Sequence, residues 1–212
     1  MWIAFKWIGR VDERRRPEVT MVTRILEGHR VLGFDLETTG LDPRTDRVVQ
    51  YALIGSDNDG SHIKQCSEID PGMIIPPEST VVHGISNKDV SGKGEFVEHY
   101  QKVADLVDGA VIVGHNVISF DWKFLKFECL RIGARVPQPI AFLDTLVISR
   151  AFGIQGSRKL GSLCKKFGIS LDRSHSADAD AGATLLLLLK IMRAFPEKFN
   201  LSMEDFVDSI SA

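Results

Sequence analysis

Residues 31–40 read VLGFDLETTG and mark the start of the predicted core. The apolar residues that alternate with the acids predict a strand buried on both faces, ending at the Thr-Gly turn. Asp35 and Glu37 are two positions apart, so both carboxylates project from the same face of this strand, near its carboxyl end. A pair of this kind is more often a solvated strand face. Here the apolar neighbours argue against solvation, and an unpaired buried charge is costly, so we expect the pair to hold a cation.

Four further strands and several helices are predicted along the chain. Residues 47–57 and 61–69 read as strands joined by an Asn-Asp-Gly turn, which indicates a hairpin. Short apolar strands at 109–116 and 140–144 alternate with helical segments. The helices are expected at about 78–83, 95–107, 119–133, 145–152, 160–167, 177–194 and 203–210, and the one at 177–194 is apolar nearly all round, so it should be buried. Hairpin strands followed by alternating strands and helices predict an α/β fold, with a mixed five-stranded sheet flanked by helices.

The overall composition is that of an ordinary globular protein. The 212 residues, 44% hydrophobic and 25% charged, suit one domain of usual size. We divide the chain into an N-terminal arm or extension, residues 1–27, and a main domain, residues 28–212. The formal net charge is −2, and two bound divalent cations would change it to +2. The charge therefore neither supports nor excludes a phosphate-containing substrate.

Neither the cysteines nor the apolar runs indicate an extracellular or membrane protein. The three cysteines are far apart and lack metal-site spacing, so we expect reduced thiols and a cytoplasmic location. No apolar run reaches the roughly 18–20 residues that span a bilayer. The N-terminal residues lack the small-residue cleavage site of a secretory signal. We therefore expect no membrane partner.

Three residues far along the chain extend the acidic pair. Asp121 follows an apolar strand and opens a helix, where helix capping is its alternative role. His115 and Asn116, just before it, are candidates to orient a ligand or to bond the backbone. Asp180 lies inside the last long helix beside a run of leucines, where a carboxylate needs a cation or a donor. His175 precedes this helix on a loop that can lean over a site anchored by Asp180.

About four carboxylates and one histidine suit phosphodiester hydrolysis. Oxygen ligands favour Mg²⁺ or Mn²⁺ over zinc, and four carboxylates can share two such ions about 3.5–4 Å apart, flanking the attacking and leaving oxygens. A neutral histidine can take the proton of the attacking water. The expected cofactors are therefore two Mg²⁺ or Mn²⁺ ions. Asp178, in the first turn of the same helix as Asp180, is expected to be exposed and to take no part.

These segments, in this order, resemble the motifs of the DEDDh (DnaQ-like) 3′–5′ exonuclease family. FDLETTG at 34–40 resembles the first motif, the Asp121 segment the second, and His-x-Ala-x-x-Asp-Ala at 175–181 the third. VVHGIS at 81–86 and LDTL at 143–146 also match stretches found between these motifs. The second motif departs from the family pattern, because HNVISFD is one residue longer than the common His-Asn-x-x-Phe-Asp.

The resemblance implies a ribonuclease H-like fold and the release of nucleoside monophosphates from a 3′ end with two metal ions. It implies that His175 is the general base and that four acids are the metal ligands: Asp35, Glu37, Asp121 and Asp180. The candidate substrate contacts are Thr38, Leu41, His83 and Asn116.

The identity of the nucleic acid stays open at this point. DNA, as a single strand or a 3′ end, is the expected partner. An exoribonuclease or oligoribonuclease is the alternative, because discrimination depends on how the site treats the 2′-hydroxyl. A non-catalytic nucleic-acid-binding module is the third reading, and the presence of all five site residues argues against it. A positive groove for a single strand would draw on basic residues whose commoner role is solvated surface: Arg158, Lys159, Lys165, Lys166 and Arg173.

Overall fold

The computed structural model describes residues 24–171 and 176–211. Most of the expected arm at 1–27 lies outside the described residues, and so does His175. Across the described ranges, no helix has the length and apolar character needed to cross a membrane.

The described residues form a five-stranded sheet with the strand order β3-β2-β1-β4-β5. β1 pairs with β2 and β2 with β3 in antiparallel fashion, whereas β1 with β4 and β4 with β5 are parallel. The predicted mixed sheet is therefore confirmed, with the acidic strand β1 at its centre. The strand bounds are β1 Val31–Thr38, β2 Val48–Ser56, β3 His62–Glu68, β4 Val111–Gly114 and β5 Ala141–Asp144.

Eight α-helices are seen within the described ranges, and the segments predicted as helical are all among them. The one helix that the sequence pattern missed, α2, is a single turn whose Ser86 and Asp89 form a capping box. The bounds are α1 Pro77–His83, α2 Asn87–Val90, α3 Phe96–Val107, α4 Asp121–Arg131, α5 Thr145–Ala151, α6 Leu160–Lys166, α7 Ala177–Ala194 and α8 Met203–Ser211, with short 3-10 turns at Arg24–Leu26 and Pro196–Phe199.

Helices cover both faces of the sheet, so the core has two halves. Leu32 and Phe34 of β1 pack with residues of α3 and α4 on one face. Val111 and Val113 of β4 pack with residues of α5 to α8 on the other. Because β1 lies between these two halves, its side chains are buried or half-buried throughout, as the sequence predicted.

Helix α7 packs directly on β1. A Cβ atom added to Gly33 would overlap the carbonyl oxygen of Ala181 and lie 2.9 Å from Cγ of Leu185, so only glycine permits this approach. The expectation that α7 is buried all round is wrong in part. Asp180 and Leu187 are among its buried residues, whereas Leu186 and Leu189 are half-buried and Arg193 is exposed. The contact at Gly33 brings the first turn of α7 to the acidic end of β1.

Candidate metal centre

Three carboxylates meet at the carboxyl end of β1. Asp35, Glu37 and Asp180 each place one oxygen within 4.8 Å of the others. Glu37 and Asp180 are buried and Asp35 is half-buried. The two strand acids reach the cluster because side chains two positions apart share a face, and α7 covers that face.

Asp121 approaches the same end of β1 from α4. β1 pairs with β4 only over Val31–Gly33, so Leu36 lies beyond the part of the strand that pairs with β4. The N–H of Leu36 donates to Oδ1 of Asp121 across 3.0 Å, which fixes the buried carboxylate at the first position of α4. Asp121 is outside the three-acid cluster as measured by mutual distance, but it adjoins Asp35.

The close packing of these acids raises their pKa values. Burial, followed by the charges of Asp121, Glu37 and Asp180, raises the pKa of Asp35 well above its usual range. Burial and the charge of Asp180 raise the pKa of Glu37 to about 7. Burial raises the pKa of Asp121 to about 8, although the hydrogen bond from Leu36 acts in the opposite direction. Ionising all of these groups together is therefore unfavourable unless a cation compensates the charge.

The donor set fits a divalent metal ion. All candidate ligand atoms are carboxylate oxygens, which are the donors that Mg²⁺ and Mn²⁺ prefer. Buried carboxylates that repel one another are a site whose electrostatic energy a bound cation lowers. The chain therefore carries a carboxylate cluster suited to metal binding.

The start of α7 is held by the antiparallel side of the sheet. Oε1 of Gln50, the residue opposite Glu37 on β2, accepts a hydrogen bond from the N–H of Ala177 across 3.0 Å. The expectation that Asp178 is exposed is wrong: 17% of its side chain is exposed. It accepts a hydrogen bond from Ser176 Oγ at 2.6 Å and lies 3.5 Å from Nζ of Lys64. As predicted, it is not a member of the three-acid cluster.

Asp144 is a site residue that the sequence reasoning did not single out. It is 1% exposed and its carboxylate accepts N–H groups from both sides: Asn116 at 2.8 Å, Ile118 at 3.3 Å and Leu146 at 2.9 Å. Asp144 thereby caps α5 and ties the β4–α4 connection to β5. An aspartate between a strand and a helix is a capping signal, but the contact to Asn116 spans 28 residues and leaves no local trace.

The four predicted substrate contacts differ in how firmly their own hydrogen bonds and packing hold them. The Thr38 hydroxyl donates to the carbonyl of Gly40 at 2.6 Å, and Nδ1 of His83 accepts from the N–H of Ile85 at 3.1 Å. Leu41 is 83% exposed. Asn116 adopts a left-handed backbone conformation with φ 64°. Their contacts to a nucleotide stay predictions.

The exonuclease family model (RNase T) matches residues 32–188, which is most of the chain. The chain therefore belongs to this exonuclease family, and the predicted likeness to the DnaQ-like exonucleases is confirmed.

The curated relatives include two kinds of bacterial protein. The chain is 33% identical to the PolC-type DNA polymerase III of Pediococcus pentosaceus over 184 residues, 85% of this chain and 12% of the relative. It is 34% identical to the 3′-5′ exonuclease DinG of Bacillus subtilis over 166 residues, 77% of this chain and 18% of the relative. The chain thus spans less than a fifth of either protein.

Solved structures share the fold. E. coli Exonuclease I in complex with a dT13 oligonucleotide superimposes with a TM-score of 0.69 at 23% identity, covering 80% of this chain and 42% of that chain. Exonuclease X in complex with 5′ overhanging duplex DNA gives a TM-score of 0.63 at 20% identity, covering 84% of this chain and 97% of that chain. The predicted fold class is therefore confirmed.

Proposed function

We propose that this chain is a metal-dependent 3′–5′ exonuclease that releases nucleoside monophosphates from the 3′ end of DNA. The observation that carries the proposal is the cluster of Asp35, Glu37 and Asp180 within 4.8 Å at the end of the central strand. A buried set of mutually repelling acids has no evident structural use, because it destabilises the fold in the absence of a cation.

Each acid has a separate place in the proposed site. Asp35, Glu37 and Asp180 hold metal from two sides, the strand and α7, and Asp121 completes the set from α4. Two Mg²⁺ or Mn²⁺ ions held there would supply an activated water and stabilise the leaving oxygen. His175, which precedes α7 in the sequence, is the proposed general base that takes the proton of the attacking water.

DNA is the proposed substrate because of what the similar proteins are. One relative is a DNA polymerase III and another a 3′-5′ exonuclease. The structural neighbours include complexes with a dT13 oligonucleotide and with duplex DNA. The expected partner is therefore the 3′ end of a DNA strand.

A cleavage assay tests the proposal. Oligonucleotides of one sequence are prepared as single-stranded DNA, duplex DNA and RNA, each with a 5′ label, and incubated with Mg²⁺, with Mn²⁺ or with EDTA. We expect a ladder that shortens from the 3′ end of DNA and that EDTA abolishes. Asp35→Asn and His175→Ala should each lose at least about 10²-fold in rate.

Asp178→Asn is the matched control, because Asp178 lies in the same turn as Asp180 and outside the acidic cluster. It should keep a rate within a few-fold of the wild type. Wild-type activity in Asp35→Asn would overturn the proposed site. Faster shortening of RNA than of DNA would show that the chain is an exoribonuclease instead.

A further inference from the structure

A pocket of about 490 Å³ opens where the β4–α4 connection faces the α5–α6 connection. Its lining combines two cations, an amide, an imidazole and two leucines, and contains no acid: His115, Asn116, Leu146, Arg158, Lys159 and Leu160. We call it the strand pocket. A concave site with a few convergent polar groups is suited to a ligand. Because its lining has two cations and no acid, the ligand that it favours is an anion.

Among the described residues, the two cations of the strand pocket have no counterion. Neither Arg158 nor Lys159 forms an ion pair in the part of the chain that the structure describes. Nε of Arg158 is buried and, among the described residues, finds no hydrogen-bond partner. A buried guanidinium N–H without an acceptor is unfavourable. An oxyanion in the pocket would supply the counterion that these two side chains lack among the described residues.

Asn116 is held in place on the opposite wall. Among the described residues it is the one non-glycine with positive φ, at 64°. Its N–H donates to Asp144 at 2.8 Å, and its carbonyl accepts N–H groups from Ser119 and Phe120 at 3.1 and 3.0 Å. Backbone strain of this kind is maintained where the surroundings enforce it, often at a ligand site.

The imidazole between these walls is also fixed. Nδ1 of His115 is 2.9 Å from the Thr145 hydroxyl, and the ring hydrogen-bonds the backbone of Arg158. His115 therefore connects α5 to the segment that carries the two cations. Because its ring is already engaged, the donors left for an anion are those of Arg158, Lys159 and the amide of Asn116.

The strand pocket adjoins the metal centre through one carboxylate. Asp144 accepts the N–H of Asn116 at the pocket, and its charge also acts on Asp121 at the metal centre. Asp121 begins α4 only five positions after Asn116. A DNA strand whose terminal phosphodiester lies at the carboxylates would thus pass close to the pocket.

We propose that the strand pocket binds a phosphodiester inside the substrate strand, upstream of the bond that is cleaved. Arg158 and Lys159 contact its oxygens, and Leu146 and Leu160 pack against the adjoining sugar. This inference rests on the proposed exonuclease function. This role accounts for a basic pocket whose lining residues are not among the proposed metal ligands.

Comparison of a one-nucleotide and a many-nucleotide substrate tests the proposal. The p-nitrophenyl ester of thymidine 5′-monophosphate has one phosphodiester, which the metal centre alone can hold, whereas a dT10 oligonucleotide also reaches the pocket. For Arg158→Ala with Lys159→Ala, we expect kcat/KM on dT10 to fall at least about tenfold more than on the ester, since a charge-assisted hydrogen bond is lost at each position. The slope of log Kd for dT10 against log salt should decrease by about 0.7 for each lost phosphate contact.

Lys102→Ala is the control, because it removes one positive charge from an exposed position on α3, on the other face of the sheet. It should leave both substrates unaffected. Equal losses on the ester and on dT10, or no loss on dT10, would overturn the strand pocket. If the double variant does not fold, Lys159→Ala alone, at an exposed position, replaces it in both measurements. Failure of the wild type to cleave the ester would count against the exonuclease function, while the affinity for dT10 would still test the pocket.

Discussion

Gly33 on β1 lies directly against the carbonyl oxygen of Ala181 on α7, with no room between them for a Cβ atom. This contact sets the distance between the helix and the strand. Since Asp180 precedes Ala181 and Asp35 follows Gly33 by two residues, the same contact sets the separation of two acids in the metal centre.

We expect Gly33→Ala to push α7 away from β1. Overpacking of this kind lowers the free energy of unfolding by about 1–3 kcal/mol, and the displaced Asp180 should weaken metal binding. Gly182 directly follows Ala181 in α7, and a Cβ atom added there would have nothing within 4 Å. Gly182→Ala should therefore raise the free energy of unfolding by about 0.4–1 kcal/mol. Urea unfolding and calorimetric Mg²⁺ titration of the two variants would measure both effects. Equal behaviour of the two would contradict the close approach.

Metal binding should appear as thermal stabilisation. A ligand that binds only the native state contributes about 2.7 kcal/mol at a hundred times its Kd, so Mg²⁺ or Mn²⁺ should raise the melting temperature over that in EDTA. Asp180→Asn should lose most of this increase and Asp178→Asn should keep it. An increase that survives Asp180→Asn would place the ion elsewhere.

Stability in EDTA should fall as pH rises. Burial raises the pKa of Glu37 from 4.5 to about 7 and that of Asp121 to about 8. Between pH about 4.5 and about 8 the native state therefore binds more protons than the unfolded chain, and the free energy of unfolding decreases with pH. Urea unfolding at pH 5, 6, 7 and 8 measures the slope. Glu37→Gln should flatten it, and a stability that increased over this range would contradict the raised pKa values.

A buried carboxylate outside the three-acid cluster should matter mainly for stability. Glu128 is 1% exposed and accepts from Arg47 Nε at 2.9 Å and from the N–H of Val48 at 3.1 Å. Removing its carboxylate leaves the half-buried guanidinium of Arg47 and the N–H of Val48 without an acceptor, so Glu128→Ala should lower the free energy of unfolding by about 1–3 kcal/mol. Arg44→Ala, which breaks an exposed pair with Asp42, should cost less than about 1 kcal/mol. Chemical denaturation compares the two, and similar losses would refute the distinction.

The sequence could predict the strand acids because their information is local. Asp35 and Glu37 lie two positions apart in an apolar run, and this spacing alone places them on one face. The strands, the hairpin and the bounds of α7 followed from periodicity in the same way. Local pattern also located Asp180, since a carboxylate beside five leucines requires a partner.

What could not be predicted depends on partners distant in the chain. Asp178 resembles a solvated first-turn acid, and only the fold brings Lys64 to it. Glu128 meets the N–H of Val48 across 80 residues, and Asp144 meets that of Asn116 across 28. No periodicity in the sequence indicates these long-range hydrogen bonds, so Glu128 and Asp144 look like ordinary polar residues in the sequence.

The pairing of Gly33 with Ala181 has a consequence for protein synthesis. The strand that supplies the first two acids is translated well before the helix that supplies the last one. A chain still emerging from the ribosome therefore carries an incomplete metal centre until α7 has been translated and has docked. By this arrangement the nuclease site would stay incomplete for as long as the residues between β1 and α7 are being translated.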